Sequence, residues 1–166
     1  MATNIKRGDY GYGVVEINHV SAPRDGGVWG QLPAAEGIDI LENGMFVKYD
    51  YAAGEVNFTG EGPWMLVFNE EQLYDERHQM HRDYAMKRED FFDKQMYPRV
   101  FRVSEGDLFT TNCLADGSYS VGDKLKVGED GLLAAGEAAA GEHSFKVIKE
   151  YTLPDGQPAV KIQVIA

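Results

Sequence analysis

The sequence predicts a mainly β fold, a small antiparallel β-barrel or sandwich, and three observations support this prediction. Short runs in which apolar and polar residues alternate recur along most of the chain. The 19 Gly and 6 Pro among the 166 residues fall between these runs, where turns need them. The last two runs, 145–153 and 159–165, flank Pro154-Asp155-Gly156, which is typical of a hairpin turn. We therefore expect strands and turns to dominate the fold.

The first 68 residues are expected to form an N-terminal arm followed by a β region. Strands are predicted at 14–17, 38–41, 45–51 and 64–68, and a loop rich in Pro and Gly is predicted at 21–37. Asn43-Gly44 lies between the second and third of these strands. Because Asn-Gly tolerates the positive φ angles of a type I′ turn, the pair predicts a hairpin.

The composition changes at residue 69. Residues 69–97 hold dense mixed charge and neither Gly nor Pro. Asn69 is followed three residues later by Gln72, a spacing typical of a helix N-cap and its reciprocal partner. We therefore expect one charged helix or extended arm over 69–97, and Pro98 ends it.

The β pattern returns in residues 98–166, which are expected to form a C-terminal β-domain. Strands are predicted at 100–103, 108–111, 124–127, 145–153 and 159–165, and a loop of small residues at 134–142. The tetrapeptides at 104–107 and 120–123 share the pattern Ser-x-Gly-Asp, and each precedes a strand. We expect this domain to form one compact unit with the N-terminal β region.

The charge balance excludes several classes of partner. The chain has 16 Lys and Arg against 27 Asp and Glu, a net charge of −11. Phosphate binding needs clustered cations, so nucleic acid is not an expected partner, and an anionic membrane surface is disfavoured for the same reason. The longest apolar runs have five residues, so no transmembrane segment is expected. The N-terminus lacks the apolar stretch of a secretory signal, so we expect synthesis and folding in a cytoplasm.

The search for catalytic chemistry yields little. Cys113 has no basic neighbour along the chain to lower its pKa, so a small semi-buried residue is expected there. Asp75, His78 and His81 have a spacing that would place them on one helix face, where they could bind a metal, but a solvated face explains them better. We predict no catalytic residue, no metal and no cofactor, and hence no enzyme.

Four segments of the C-terminal half carry a family resemblance. They are residues 96–103, 105–112, 121–127 and the closing hairpin through 156–161, with Gly-Asp turns before strands. Over residues 96–165 the chain resembles the head decoration, or capsid cement, proteins of tailed bacteriophages. The resemblance implies a β-domain on the outer surface of the virion capsid, synthesised in the bacterial host cytoplasm. The implied partners are the major capsid protein and further copies of the chain, as a trimer or another homo-oligomer.

Arginine and aromatic side chains, which interfaces favour, indicate where a partner would bind. The N-terminal arm, expected to lie across a neighbouring subunit, contributes Ile5, Arg7, Tyr10 and Tyr12. The 69–97 segment and the residue just beyond it contribute Tyr74, Arg77, Arg82, Tyr84, Arg88, Phe91, Phe92, Tyr97 and Arg99. An equally good interpretation is a helix whose aromatic residues face its own domain and whose charges face water.

The charge distribution suggests how the two surfaces differ. Residues 104–142 hold 8 acidic and 2 basic residues, whereas residues 69–102 hold 8 and 7. We therefore expect an acidic face toward solvent and a balanced face toward the partner.

A carbohydrate-binding or host-surface-binding β module of a phage particle is the alternative hypothesis. Its sugar platform would be formed by exposed aromatic residues: Tyr10, Tyr12, Trp29, Trp64 and Tyr97. Aromatic residues at strand positions belong more often to a core, so this hypothesis ranks second.

Overall fold

The computed structural model describes residues 2–7, 12–69, 85–154 and 156–165. Within these ranges the fold is mainly β, as predicted, with strands arranged in antiparallel sheets. The strands are β1 (Thr3–Ile5), β2 (Val15–His19), β3 (Val28–Trp29), β4 (Ile40–Glu42), β5 (Phe46–Asp50), β6 (Glu55–Asn57), β7 (Trp64–Val67), β8 (Ala85–Lys87), β9 (Val100–Arg102), β10 (Leu108–Thr111), β11 (Gly117–Tyr119), β12 (Lys124–Val127), β13 (Leu133–Ala135), β14 (Ser144–Thr152) and β15 (Pro158–Ile165). A short helix α1 (Ala22–Asp25) and a 3-10 helix (Arg88–Asp90) join them.

Two larger sheets and two strand pairs make up the architecture of the described residues. The six-stranded sheet has the order β13-β12-β14-β15-β10-β2, and the five-stranded sheet has the order β3-β9-β7-β5-β6. The remaining strands pair as β1-β11 and β4-β8. The sheets lie in layers, so of the two predicted architectures the sandwich describes the fold.

The five-stranded sheet is buried on both faces. On one face Phe46, Leu66 and Phe101 join the first hydrophobic cluster, which the six-stranded sheet covers. The Phe46 ring packs edge-on against Phe145 of that sheet, with ring centroids 5.1 Å apart. On the other face the second cluster holds buried side chains from the middle sheet, from β4-β8 and from the connecting loops. They include Leu41, Val47, Met65, Val67, Met86, Met96 and Val100.

The closing hairpin is confirmed, because β14 and β15 pair in antiparallel register along most of their length. The Leu153 amide donates to the Gln157 carbonyl at 2.8 Å, and Gly156 takes the positive φ of +92° that this turn requires. This hairpin forms the centre of the six-stranded sheet.

The two Ser-x-Gly-Asp tetrapeptides at 104–107 and 120–123 form the same turn. In each, the Asp side chain accepts a hydrogen bond from the Ser amide at 2.8 Å. The Gly of each turn, in the left-handed region, donates its amide to the central hairpin, to the Val164 carbonyl in one case and the Val147 carbonyl in the other. Each copy of the repeated tetrapeptide is therefore a turn that hydrogen-bonds to the central hairpin, and the two turns place β10 beside β15 and β12 beside β14.

The prediction of a hairpin at Asn43-Gly44 is wrong. A turn does form there, since the Met45 amide donates to the Glu42 carbonyl at 3.2 Å. However, β4 pairs with β8, whereas β5 pairs with β6 and β7. The Asn43 side chain holds the backbone of Asn69 through hydrogen bonds of 2.8 and 3.3 Å. The turn thus leads the chain from the β4-β8 pair into the five-stranded sheet, which is the middle layer of the fold.

The helix considered for 69–97 is not present where the structure describes this segment. Asn69 is buried, and its side-chain oxygen accepts from the Arg99 amide at 3.0 Å. Residues 70–84 lie outside the described residues, 85–87 form strand β8, and a single 3-10 turn follows. Met86 of this strand belongs to the second cluster, and pairing with β4 holds the strand over that cluster.

The β12–β13 turn ties the two large sheets together, and we expect Gly131→Ala to break that tie. Gly131 has a φ of +80°, and its carbonyl accepts from the Phe46 amide at 2.7 Å. An added Cβ would lie 2.5 Å from the Phe46 carbonyl oxygen. Strain and displacement together should lower the free energy of unfolding by about 2–3 kcal/mol, measured by urea denaturation.

Gly141→Ala is the matched control for Gly131→Ala. Its φ of +85° is similar, but an added Cβ meets nothing within 4 Å. This variant should lose only about 1 kcal/mol, the conformational cost alone. Equal losses in the two variants would contradict a role for the contact between the sheets.

Candidate partner interface

The predicted N-terminal arm belongs in part to the domain itself. Strand β1 pairs with β11, and Ile5, opposite Gly117, is 3% exposed within the first cluster. Ile5 is therefore a core residue in this fold and not a contact for a partner, because its side chain already has an apolar environment. Tyr10 lies outside the described residues.

Arg7 is held by groups of its own domain. Its guanidinium pairs with the Glu42 carboxylate, and Nη1 lies 3.5 Å from Cys113 Sγ. The backbone amide of Arg7 donates to Asp116 Oδ1 at 2.8 Å. The other Glu42 oxygen accepts from the Gly13 amide at 2.9 Å, so the buried carboxylate has partners on both sides. Arg7 thereby fixes the N-terminal segment to β4 and to the loop after β10.

Cys113 belongs to the second hydrophobic cluster and is fully buried beside Arg7. Its role is structural and not reactive. Its Sγ lies so close to Gly13 that a Cβ there would be 2.9 Å away. Burial raises the pKa of the Cys113 thiol to about 12, and the Glu42 charge adds to the rise. Sequence reasoning did not place Arg7 and Glu42 beside Cys113, because both lie far from it along the chain. The thiol is nevertheless neutral at physiological pH, which argues against a nucleophile.

Arg88 braces the segment 87–97 from inside. Its guanidinium donates to the carbonyls of Ala35, Ile38 and Lys94 at 2.6, 2.8 and 2.8 Å. These bonds connect the 3-10 helix to the loop before β4 and to the chain that follows. Arg88 is therefore occupied within the domain, and its role is to position its neighbours.

Phe91 and Phe92 are adjacent but have opposite environments. Phe91 is partly buried and packs against the second cluster, whereas Phe92 is fully exposed. Tyr97 is also exposed, and its hydroxyl donates to Gln95 Oε1 at 2.9 Å. Arg99 is partly buried, with its guanidinium 5.5 Å from the centre of the Phe101 ring. Of the three predicted aromatic residues in this segment, Phe92 and Tyr97 are exposed and Phe91 packs against the domain.

A cleft of about 580 Å³ lies beside this segment. It is lined by Tyr12, Asp39, Ile40, Lys87, Arg88, Glu89 and Lys94. The Lys87 ammonium is 4.8 Å from the centre of the Tyr12 ring, and a hydrogen bond to Tyr12 raises the pKa of Lys87. The structure therefore brings Tyr12 and Arg88, two predicted interface residues from distant parts of the sequence, to one cleft.

Several candidates from the sequence lie outside the described residues. They are Tyr74, Arg77, Arg82, Tyr84 and the metal candidates Asp75, His78 and His81. In the ranges that the structure covers, no group of three or more His, Cys, Asp or Glu side chains could hold a metal ion. No helix in those ranges is long and apolar enough to cross a bilayer.

The structure separates Trp29 and Trp64, the two tryptophans of the predicted sugar platform. Trp29 packs against the second cluster, with its ring 5.6 Å from that of Tyr49. Trp64 packs against the first cluster, and the Lys48 ammonium lies 4.6 Å from its ring centre. The two indoles therefore lie on opposite faces of the middle sheet and cannot stack on one sugar.

We expect alkaline pH to destabilise the fold partly through Cys113. The unfolded thiol loses its proton near pH 9.0, whereas the buried thiol keeps it until about pH 12. The unfolded state therefore holds fewer protons between these values, and the free energy of unfolding falls as pH rises, by up to about 1.4 kcal/mol per pH unit for one group. Urea denaturation at pH 8, 9 and 10 should show a steeper loss for the natural chain than for Cys113→Ala. Parallel pH profiles would contradict this assignment.

Arg88→Ala should destabilise the domain by about 2 kcal/mol, because it leaves several carbonyls without their charged donor. Arg24→Ala, at an exposed arginine of α1, is the matched control and should change the free energy of unfolding by less than about 0.5 kcal/mol. Thermal and urea denaturation measure both variants. Similar small changes in the two would show that Arg88 does not brace the segment.

Comparisons with known proteins give no assignment of family or function for this chain. No protein-family model, curated protein or solved structure matches the chain. The resemblance of residues 96–165 to decoration proteins therefore remains a prediction.

Proposed function

We propose that this chain is a structural virion protein that binds the outer surface of a tailed-bacteriophage capsid and stabilises the shell. The partner is the major capsid protein. The observation that carries the proposal is the full exposure of Phe92 on a segment that is braced from inside. A large apolar side chain held out in water is costly to solvate, and burial against a partner removes that cost.

The brace makes this surface suitable for binding. Arg88 fixes the segment at one side, and Phe91 anchors it in the second cluster. Because Phe91 points into the core, its neighbour Phe92 is directed outward rather than left to move. A preorganised aromatic side chain loses little conformational entropy on binding, which favours affinity. Exposed Tyr97 extends the aromatic surface of the same segment.

The proposed role requires no catalysis. A protein that binds only the assembled shell stabilises it by mass action, and the effect multiplies over many equivalent sites. A rigid domain with a contact of about 800 Å² per partner is sufficient for such binding. The layered sheets of this fold supply that rigidity.

Shells of the phage that encodes the chain, assembled without it, provide the test. Added purified protein should bind saturably and raise the temperature at which the shells rupture. Phe92→Ala should weaken binding by at least about tenfold, since a central aromatic contact is worth about 2 kcal/mol. Tyr51→Ala is the matched control, because Tyr51, directly after β5, is 73% exposed and lies outside the 87–97 segment, and it should bind like the natural chain.

Two results would argue against the proposal. Shells that neither bind the protein nor gain heat resistance would exclude a decoration role. Binding that is equally strong for Phe92→Ala, with its folding checked by circular dichroism, would exclude the 87–97 surface. Specific binding to sugars on a glycan array would instead favour the carbohydrate-binding alternative.

A further inference from the structure

The outer face of the six-stranded sheet carries a concentration of lysines. Five of the nine lysines in the chain lie on three adjacent strands, β12, β14 and β15. They are Lys124, Lys126, Lys146, Lys149 and Lys161, and we refer to them as the lysine face. Four of them are exposed and Lys161 is partly exposed.

Strand alternation places these side chains together. Successive side chains of a strand point to opposite faces. In β12 and in the first half of β14, lysines alternate with Leu125, Phe145 and Val147, which are buried in the first cluster. A register shift follows Val147, and Lys149 then lies opposite Lys161. Since directly opposite residues share a face, all five ammonium groups lie on the side away from the core.

The lysine face is electrostatically unfavourable to its own domain. Lys124 lies directly opposite Lys146, and Lys149 lies directly opposite Lys161. Like charges in such pairs are destabilising. Glu137 pairs with Lys124 at 3.2 Å, but among the described residues no carboxylate forms an ion pair with the other four. Bound carboxylates would relieve this repulsion.

The face also contrasts with the rest of the chain. The net charge is −11, so the chain without these five lysines carries −16. Lys124 and Lys126 come from the stretch 104–142, which the charge count predicted to be an acidic face. That prediction is wrong for β12, because alternation directs its cations to the outer side of the sheet while the stretch's acidic residues lie mostly in turns.

We propose that the lysine face docks a protein surface rich in Asp and Glu. Lysines on neighbouring strands are about 5 Å apart and alternate positions along a strand about 7 Å apart, distances that carboxylates on a strand pair or helix face also have. Nucleic acid fits less well. Strands β12, β14 and β15 contain no arginine for bidentate phosphate contacts, and the surrounding −16 repels a dense polyanion. This docking is independent of the 87–97 surface and of a capsid role.

The test combines a charge reversal with a matched control. Lys146→Glu with Lys161→Glu converts both opposed pairs into Glu–Lys pairs, so the variant should be at least as stable as the natural chain. Lys6→Glu with Arg24→Glu changes the net charge equally at exposed positions elsewhere. The probe is poly-L-glutamate, measured by titration calorimetry at 0.1 M salt, and heparin and duplex DNA are measured in parallel.

We expect the natural chain and the control to bind poly-L-glutamate, and the lysine-face variant to bind at least about tenfold more weakly. Binding should weaken at 0.5 M salt, because ions screen contacts at an exposed face. Absence of binding by the natural chain, or equal losses in the two variants, would overturn the proposal. Tighter binding of heparin or DNA than of poly-L-glutamate would also overturn it. No shell enters this experiment, so a failed capsid role and a failed lysine face give different results.

Discussion

The structure depends on one constraint, the burial of the five-stranded sheet on both faces. Met65, Leu66 and Val67 are consecutive in β7 and all fully buried. Because neighbouring residues of a strand point to opposite faces, such a run is stable only between two covering layers. The six-stranded sheet supplies one cover, and β4-β8 with its flanking loops supplies the other.

The second cover positions the candidate interface. Strand β8 is held by β4 and by the apolar face beneath it, and the segment 87–97 continues directly from β8. Arg88 then ties this segment to the loop before β4 by donating to the carbonyls of Ala35 and Ile38. The exposed aromatic side chains are thus consequences of how the middle sheet is closed. A substitution in the second cluster would therefore affect the exposed aromatic side chains through β8 and the segment 87–97.

Charge in this protein is arranged by strand geometry more than by composition. A chain with a net charge of −11 presents a cationic sheet face because its lysines occupy alternate positions on adjacent strands. The buried carboxylate of Glu42 is instead compensated, because it receives hydrogen bonds from Arg7 and from a backbone amide. The exposed lysines repel one another, whereas the Glu42 charge is neutralised by its own domain. Only the lysines keep charge that another molecule could pair with.

The sequence alone determined the β class, most of the longer strands and the turns whose chemistry is local. The closing hairpin and both Ser-x-Gly-Asp turns were predictable because their glycines take the positive φ that a turn needs, and because each Ser-x-Gly-Asp aspartate accepts a hydrogen bond from the serine amide three residues before it. Tertiary structure decided what depends on distant partners. Strands of two or three residues such as β3 and β8 exist only because a neighbour pairs with them, and Asn43 joins two layers because Asn69 lies beside it. Likewise, adjacent Phe91 and Phe92 are equally apolar in sequence, and only the cluster beneath them determines which of the two is exposed.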